Sequence, residues 1–261
     1  MRKALITVTF IFLSISAFGW GRSGHDAIAY MAEQHINKKA AKTIAKYLND
    51  TSIVYFSTWM DEFRESEAYK HTTRWHVAYY DETGKALLGS NFPGAEEPND
   101  ALVQLGRIID KMKDGGYKNY DDSTVRVAIK MIVHLVGDMH CPVHVIYSDI
   151  KSFKVFYRGK EVKYHAVWDE LMIDDVHKWS YMEYNHQLWR LSKKEEKEVQ
   201  KGNIVDWGEE AARDCRVIYS FAQKGDQLGK PFNLKARPIA DRQIQRAGYR
   251  LTKVLNDIFG K

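Results

Sequence analysis

Cysteine occurs only twice and proline five times in 261 residues. So little cysteine excludes a disulfide scaffold and a cysteine-rich zinc finger. Any metal must therefore be held by histidine and carboxylate. Neither sign of charge dominates: 39 Lys and Arg face 34 Asp and Glu, a formal charge of +5. That is too mild for a nucleic-acid-coating tail or a polybasic membrane anchor. Beyond the N-terminus there is no long apolar run, which excludes a multi-span membrane protein. A content of 44% hydrophobic and 28% charged residues fits a soluble globular chain. What the chain does carry is 10 histidines, and their spacing is informative.

The N-terminus reads as an export signal. Arg2 and Lys3 give a positive start, residues 4–18 are apolar except for Thr and Ser, and Ala17-Phe18-Gly19 offers small residues at the two positions a signal peptidase reads. The apolar run is shorter than the ~20 residues needed to span hydrocarbon. Cleavage after Gly19 makes Trp20 the new N-terminus and sends the mature chain, 20–261, to a secreted or periplasmic location. Cys141 and Cys215 could pair in such a compartment, given suitable geometry.

Past Trp20 the apolar pattern is helical almost throughout. Helices are expected over 22–36, 38–48, 57–64, 100–113, 123–145, 165–173, 181–191, 205–222 and 239–259. One β signal stands out: alternation in 153–157 and 161–164 flanks the turn Arg158-Gly159-Lys160, a small hairpin. The Lys and Glu run over 192–201 suits a solvated helix face or connector. The expected fold is all-α, a single helical domain over 20–261 with one small β-hairpin.

Within His134-Leu-Val-Gly-Asp138-Met-His140-Cys-Pro142-Val-His144, three histidines and a carboxylate share eleven residues of an otherwise apolar stretch. His134 and Asp138, four apart, face one side of a helix. Pro142 should kink that helix and let His144 turn back toward the same cavity. A second pair of the same spacing follows in His165-Ala-Val-Trp168-Asp169. A lone histidine on an apolar helix is ordinarily a satisfied core residue. Two recurring His-x-x-x-Asp pairs argue otherwise, because so many buried ionisable groups are costly unless they neutralise one another or hold metal. Nitrogen with carboxylate oxygen suits zinc.

These motifs resemble the S1/P1 nucleases, secreted zinc-dependent helical phosphodiesterases that cut single-stranded nucleic acid. The resemblance covers essentially the whole mature chain. It runs from Trp20 and His25 through Trp59-Met60-Asp61, His76, HLVGDMHCPVH and YHAVWD to Trp207-Gly-Glu-Glu and the terminal segment 247–256. Carried over residue by residue, it implies three zinc ions. Asp61, His76, His134 and Asp138 would hold one, and His144, His165 and Asp169 another. The third would take the freed amine and carbonyl of Trp20 with His25, sharing Asp138. His140, two residues from Asp138, is expected to pack behind the ligands rather than join them. His35, His71, His177 and His186 have no place in the motif and read as exposed or singly hydrogen-bonded residues. Asp81 resembles the acid that orients the attacking water, although a surface Asp in the turn Asp-Glu-Thr-Gly would look the same.

The implied reaction is in-line hydrolysis of single-stranded DNA or RNA to 5′-nucleotides, with 3′-nucleotides as further substrates. Several departures bear on substrate. Cys141 replaces the family's usual glutamine, 148–152 reads Ser-Asp-Ile-Lys-Ser instead of Asp-Arg-Gly-Gly-Asn, and Glu170 follows Asp169 where some members carry asparagine. Val77 occupies the place beside His76 where an aromatic would stack on a base, leaving Tyr79, Tyr80 or Tyr164 to serve. Two other readings compete: a bacterial-type zinc phospholipase C, which would have glutamate where Asp169 stands, and a zinc- or nucleic-acid-binding protein without turnover.

Overall fold

The computed structural model describes residues 20–88 and 99–261, so the expected signal, 1–19, lies outside the described residues. In chain order the helices are α1 (Gly21–His35), α2 (Lys38–Leu48), α3 (Trp59–Phe63), α4 (Ala101–Met112), α5 (Asp122–Asp138), α6 (Tyr164–Ala166), α7 (Met172–Val176), α8 (Tyr181–Leu188), α9 (Lys193–Val199), α10 (Ile204–Tyr219) and α11 (Lys230–Phe259). A π-helical turn, Val167–Leu171, joins α6 to α7. The all-α expectation is met, since the strands are few and short.

Helix α5 sits at the centre. Asp121 starts it by accepting from the backbone N–H groups of Ser123 and Thr124. Its first half is amphipathic, but every side chain from Met131 to Asp138 is buried, as in a helix enclosed on all sides. Around it pack α1, α2, α3, α4 and α11. The long α11, ~45 Å at 1.5 Å per residue, lies along α1 and buries Phe232, Ala236, Ile239, Ala240 and Ile244 at helical spacing.

Sheet structure exceeds the single hairpin. The hairpin itself is present, β3 (Lys154–Tyr157) against β4 (Lys160–Lys163). Its turn residues Arg158 and Gly159 both have positive φ, 52° and 76°, the type I′ conformation that matches strand twist. A further strand, β5 (Gln227–Leu228), adds to β3 in parallel. Separately, β1 (Ala78–Tyr80) pairs in parallel with β2 (Val145–Tyr147).

Two helical expectations need correction. The helix expected over 123–145 ends at Asp138; proline biases the residue before it out of the α region, and Cys141 is extended (φ −82°, ψ 114°). Pro142 then opens a 3-10 turn, Pro142–His144, that runs straight into β2. The last helix starts at Lys230 rather than at 239, continuing through Pro238. Pro238 and Leu234, whose carbonyl it leaves without a donor, are both exposed, so water can satisfy that group. The charged run 192–201 forms α9, started by a reciprocal Ser192–Glu195 capping box. Cys141 and Cys215 do not pair: both are free and buried, the first facing Asp169 and the second the Val145 carbonyl.

Candidate metal centre

The buried end of α5 delivers His134 and Asp138, four residues apart on one face and fully shielded from solvent. The negative end of the helix dipole adds to their attraction for a cation. The short α3 supplies Asp61, and α1 supplies His25. His76 ends a 3-10 helix, Lys70–His76, just before β1, while His144 ends the turn just before β2. Because those strands pair in parallel with Ala78 opposite Val145, two histidines from distant parts of the chain arrive at the same end of one ladder. The α6 and π-helical segment brings His165 and Asp169.

Asp138 is the hub. Its Oδ2 lies 2.9 Å from His76 Nδ1 and 3.1 Å from His134 Nε2, and these two nitrogens are 3.1 Å apart. Asp61 completes the group, with Oδ1 3.5 Å from His76 Nδ1 and Oδ2 3.7 Å from His134 Nε2. Ligands on one tetrahedral zinc stand roughly 3.3 Å apart, given bonds near 2.0–2.2 Å, so these four side chains outline one coordination shell. The other oxygen, Asp138 Oδ1, is 3.4 Å from His25 Nε2 and 3.3 Å from His144 Nδ1. His144 Nε2 in turn reaches Asp169 Oδ1 at 3.2 Å, and His165 Nε2 lies 2.9 Å from Asp169 Oδ2. The structure thus brings His25, Asp61, His76, His134, Asp138, His144, His165 and Asp169 into one continuous cluster. Trp20 is fully buried at the start of α1, with its carbonyl accepting from Gly24 N–H at 3.2 Å.

The donor chemistry fits cations. His25 Nε2, both Asp61 oxygens, His76 Nε2, Asp138 Oδ1 and His144 Nδ1 are buried polar atoms with no hydrogen-bond partner in the protein, a costly state unless an ion is held nearby. The ligand atoms fall into three candidate groups: His25, His134 and Asp138; Asp61, His76 and His134; Cys141, His144 and Asp169. His134 is oriented from behind, its Nδ1–H donating to the Ser57 carbonyl at 2.8 Å, which turns Nε2 toward the cluster.

Electrostatics inside the cluster are strong. Burial works against a charged His134, but Asp138 and Asp61 outweigh it and hold the imidazole up at about 9. Burial likewise opposes ionised Asp138, yet His134 and His144 keep its carboxyl well below the usual range. His25 is pushed down by burial and then by His134, whose ring stacks on it at 4.4 Å.

His140 stays outside the cluster. Its Nδ1–H donates to the Val136 carbonyl (2.7 Å), and Nε2 accepts from Arg250 (3.0 Å); burial and Arg250 push its pKa far down. This is a neutral histidine tying α5 to α11. His35 meets Asn185 and stacks on Trp189, His177 meets Asp241, and His71 and His186 are exposed. Asp81 is not brought to the cluster. Its Oδ1 accepts instead from Thr83 N–H, the Thr83 hydroxyl and Lys85 N–H, within its own turn. Tyr80 and Tyr164 are buried, the latter donating to the Ile218 carbonyl, so neither offers a ring to a base. Tyr79 is half-buried and lines a groove of about 560 Å³ with Leu87 and Ile146.

Two contributors escape a sequence reading. Arg64 brings its guanidinium to 3.5 Å from Asp61 Oδ1; its position three residues after Asp61 on one helical turn was a usable signal. Gly137 is the other: a Cβ there would stand 2.6 Å from His25 Nδ1, so only glycine lets His25 approach α5.

A helical domain that gathers this many histidines and carboxylates in one buried cluster presents, by fold and site, candidate metal-binding groups. The chain belongs to the S1/P1 nuclease family, whose model matches residues 20–260. It is similar to Endonuclease 2 of Arabidopsis thaliana, 24% identical over 98% of this chain and 96% of that protein. It is also similar to Nuclease P1 of Penicillium citrinum, 22% identical over 92% and 98% of the two chains. Nuclease S1 of Aspergillus oryzae is 23% identical over 66% of this chain and 60% of its own. The protein is accordingly a nuclease, a hydrolase of phosphodiester bonds.

Proposed function

We propose that this nuclease is a secreted or periplasmic enzyme that binds three zinc ions and hydrolyses single-stranded DNA and RNA to 5′-nucleotides, acting also on 3′-nucleotides. The observation that carries the reading is the set of buried atoms without a hydrogen-bond partner, His25 Nε2, both Asp61 oxygens and Asp138 Oδ1, in one cluster with His76, His134, His144, His165 and Asp169. Asp61, His76, His134 and Asp138 would hold one ion, His144, His165 and Asp169 a second, and Trp20, His25 and Asp138 a third. Zinc in such a site lowers the pKa of water toward neutrality and offsets charge on phosphate and leaving oxygen. Asp138 offers one oxygen to each side of the cluster and would be shared by the ions held there. Arg64, with 12% of its side chain exposed, gives a permanent cation at the rim for a phosphate oxygen. His165, 19% exposed, marks where solvent and substrate reach the cluster.

Preference for single strands follows from shape. Both strands of the parallel pair lead from a ligand, His76 or His144, into the groove of Tyr79, Leu87 and Ile146. An unpaired base can leave its neighbours and stack there, whereas a duplex must fray first. Side-by-side rates on poly(A), denatured DNA, duplex DNA and phosphatidylcholine vesicles test this. Fast hydrolysis of the first two, slow cleavage of duplex and no phosphocholine release are expected. Faster turnover of vesicles would transfer the site to phospholipase chemistry, and a zinc-loaded protein inert on all four would be a binding protein.

A further inference from the structure

The thiol of Cys141 is fully buried, and its Sγ lies 3.4 Å from Asp169 Oδ1. The same carboxylate oxygen is 3.2 Å from His144 Nε2, and one ligand atom each from Cys141, His144 and Asp169 fall within 4.8 Å of one another. For a shared tetrahedral zinc, bonds near 2.3 Å to sulfur and 2.0 Å to oxygen or nitrogen set ligand pairs roughly 3.5 Å (S and O) and roughly 3.3 Å (N and O) apart. Both observed separations match. The backbone supports the same arrangement: Cys141 is extended before Pro142, and His144 N–H closes the turn onto the Cys141 carbonyl at 2.9 Å. Cysteine and histidine three apart in a tight turn are spaced as metal ligands commonly are. The other oxygen of that carboxylate, Asp169 Oδ2, lies 2.9 Å from His165 Nε2, which brings the third proposed ligand to the same group.

We propose that Cys141 Sγ is a direct ligand of the ion held by His144, His165 and Asp169, so that this chain binds one of its zinc ions through a thiolate. The inference rests on the zinc reading above. On binding, the S–H bond breaks, a sulfur–zinc bond forms and the proton passes to solvent, with no change of oxidation state. The thiolate adds a negative charge and a softer donor to this ion, which holds it more firmly and leaves it less electrophilic than its two neighbours.

X-ray absorption at the zinc edge of the zinc-loaded, full mature protein tests the assignment without using activity. The expected spectrum contains a sulfur shell near ~2.3 Å beside nitrogen and oxygen near ~2.0–2.1 Å. That shell should vanish in Cys141→Ser and persist in Cys215→Ser, whose Sγ faces the Val145 carbonyl instead. Cobalt-loaded wild type should show a thiolate-to-metal charge-transfer band absent from Cys141→Ser. The Cys141→Ser protein should also hold its weakest zinc at least ~10-fold less tightly. Circular dichroism of the metal-free variant checks that it folds; should it not, the wild-type and Cys215→Ser spectra decide alone. Zinc bound through nitrogen and oxygen only would overturn the proposal while sparing the zinc reading, leaving Cys141 as a hydrogen-bond donor to Asp169. A wild-type protein that binds no zinc would overturn both.

Discussion

Asp138 faces four histidines through its two oxygens: His76 and His134 on Oδ2, His25 and His144 on Oδ1. Removing it should therefore cost more metal than removing any one histidine. Asp138→Ala is expected to lose zinc from two positions and His134→Ala from one, both without measurable hydrolysis, while His186→Ala, on the surface, stays near wild type. Elemental analysis of the purified variants checks this, and full zinc content in Asp138→Ala would refute the shared-ligand role. The same residues set the pH dependence. With His134 held at about 9 and His144 held well above its ordinary value by Asp138 and Asp169 against the pull of burial, both imidazoles are protonated in the metal-free protein near neutrality. Zinc must displace those protons, so its affinity falls as pH drops below about 9, by about tenfold per pH unit for each proton released. Calorimetric zinc titrations in buffers of different ionisation enthalpy should register proton release at pH 7. Release near zero would contradict it. In the metal-free protein the His134 contribution to stability has its own sign: it is complete below the unfolded value of 6.5 and lost as pH rises through about 9.

At the scale of elements, the site depends on two close approaches that local pattern only half reveals. The His-x-x-x-Asp pairs were legible because helical periodicity alone puts both side chains on one face. The meeting of His76 with His144 was not, because it depends on a parallel ladder of three-residue strands, too short for alternation to register. Pro142 was legible as a break in α5 but not as its consequence, a turn into β2 instead of a kinked continuation. Pro238, just before the expected start at 239, does not open the last helix: on the solvent face it is tolerated and α11 runs through it. Asp81 was expected at the site through the family resemblance alone; its carboxylate is engaged by Thr83 and Lys85 in its own turn, the alternative that the run Asp-Glu-Thr-Gly also allowed. Gly137 gives the sharpest test at this scale. In Gly137→Ala the new methyl must push His25 away from Asp138. The expected result is loss of one zinc and destabilisation of roughly 1–3 kcal/mol, read from zinc content and thermal melting; unchanged values for both would mean His25 is not held against α5.

Across the whole molecule, distant parts of the chain converge on one buried point. The N-terminal α1 contributes His25, and α11, at the other end of the chain, braces α5 through Arg250, which also binds Glu210 and the Val199 carbonyl. If Trp20 ligates through its free amine, export and activity are coupled, because the ligand exists only after cleavage. A chain carrying an uncleaved Met directly before Trp20 should bind one zinc fewer and lose most activity. Intact mass beside zinc stoichiometry checks this, and full activity with Met retained would remove Trp20 from the ligand set.

Zinc at the cluster around Asp138 is proposed to hydrolyse single-stranded nucleic acid. The most direct test strips the mature protein with chelator and follows hydrolysis of denatured DNA as zinc is added back. No hydrolysis is expected at the start, then recovery in step with zinc bound and a plateau when three ions are held per chain. Hydrolysis that survives stripping, or a fully loaded protein that leaves the strand intact, would contradict it.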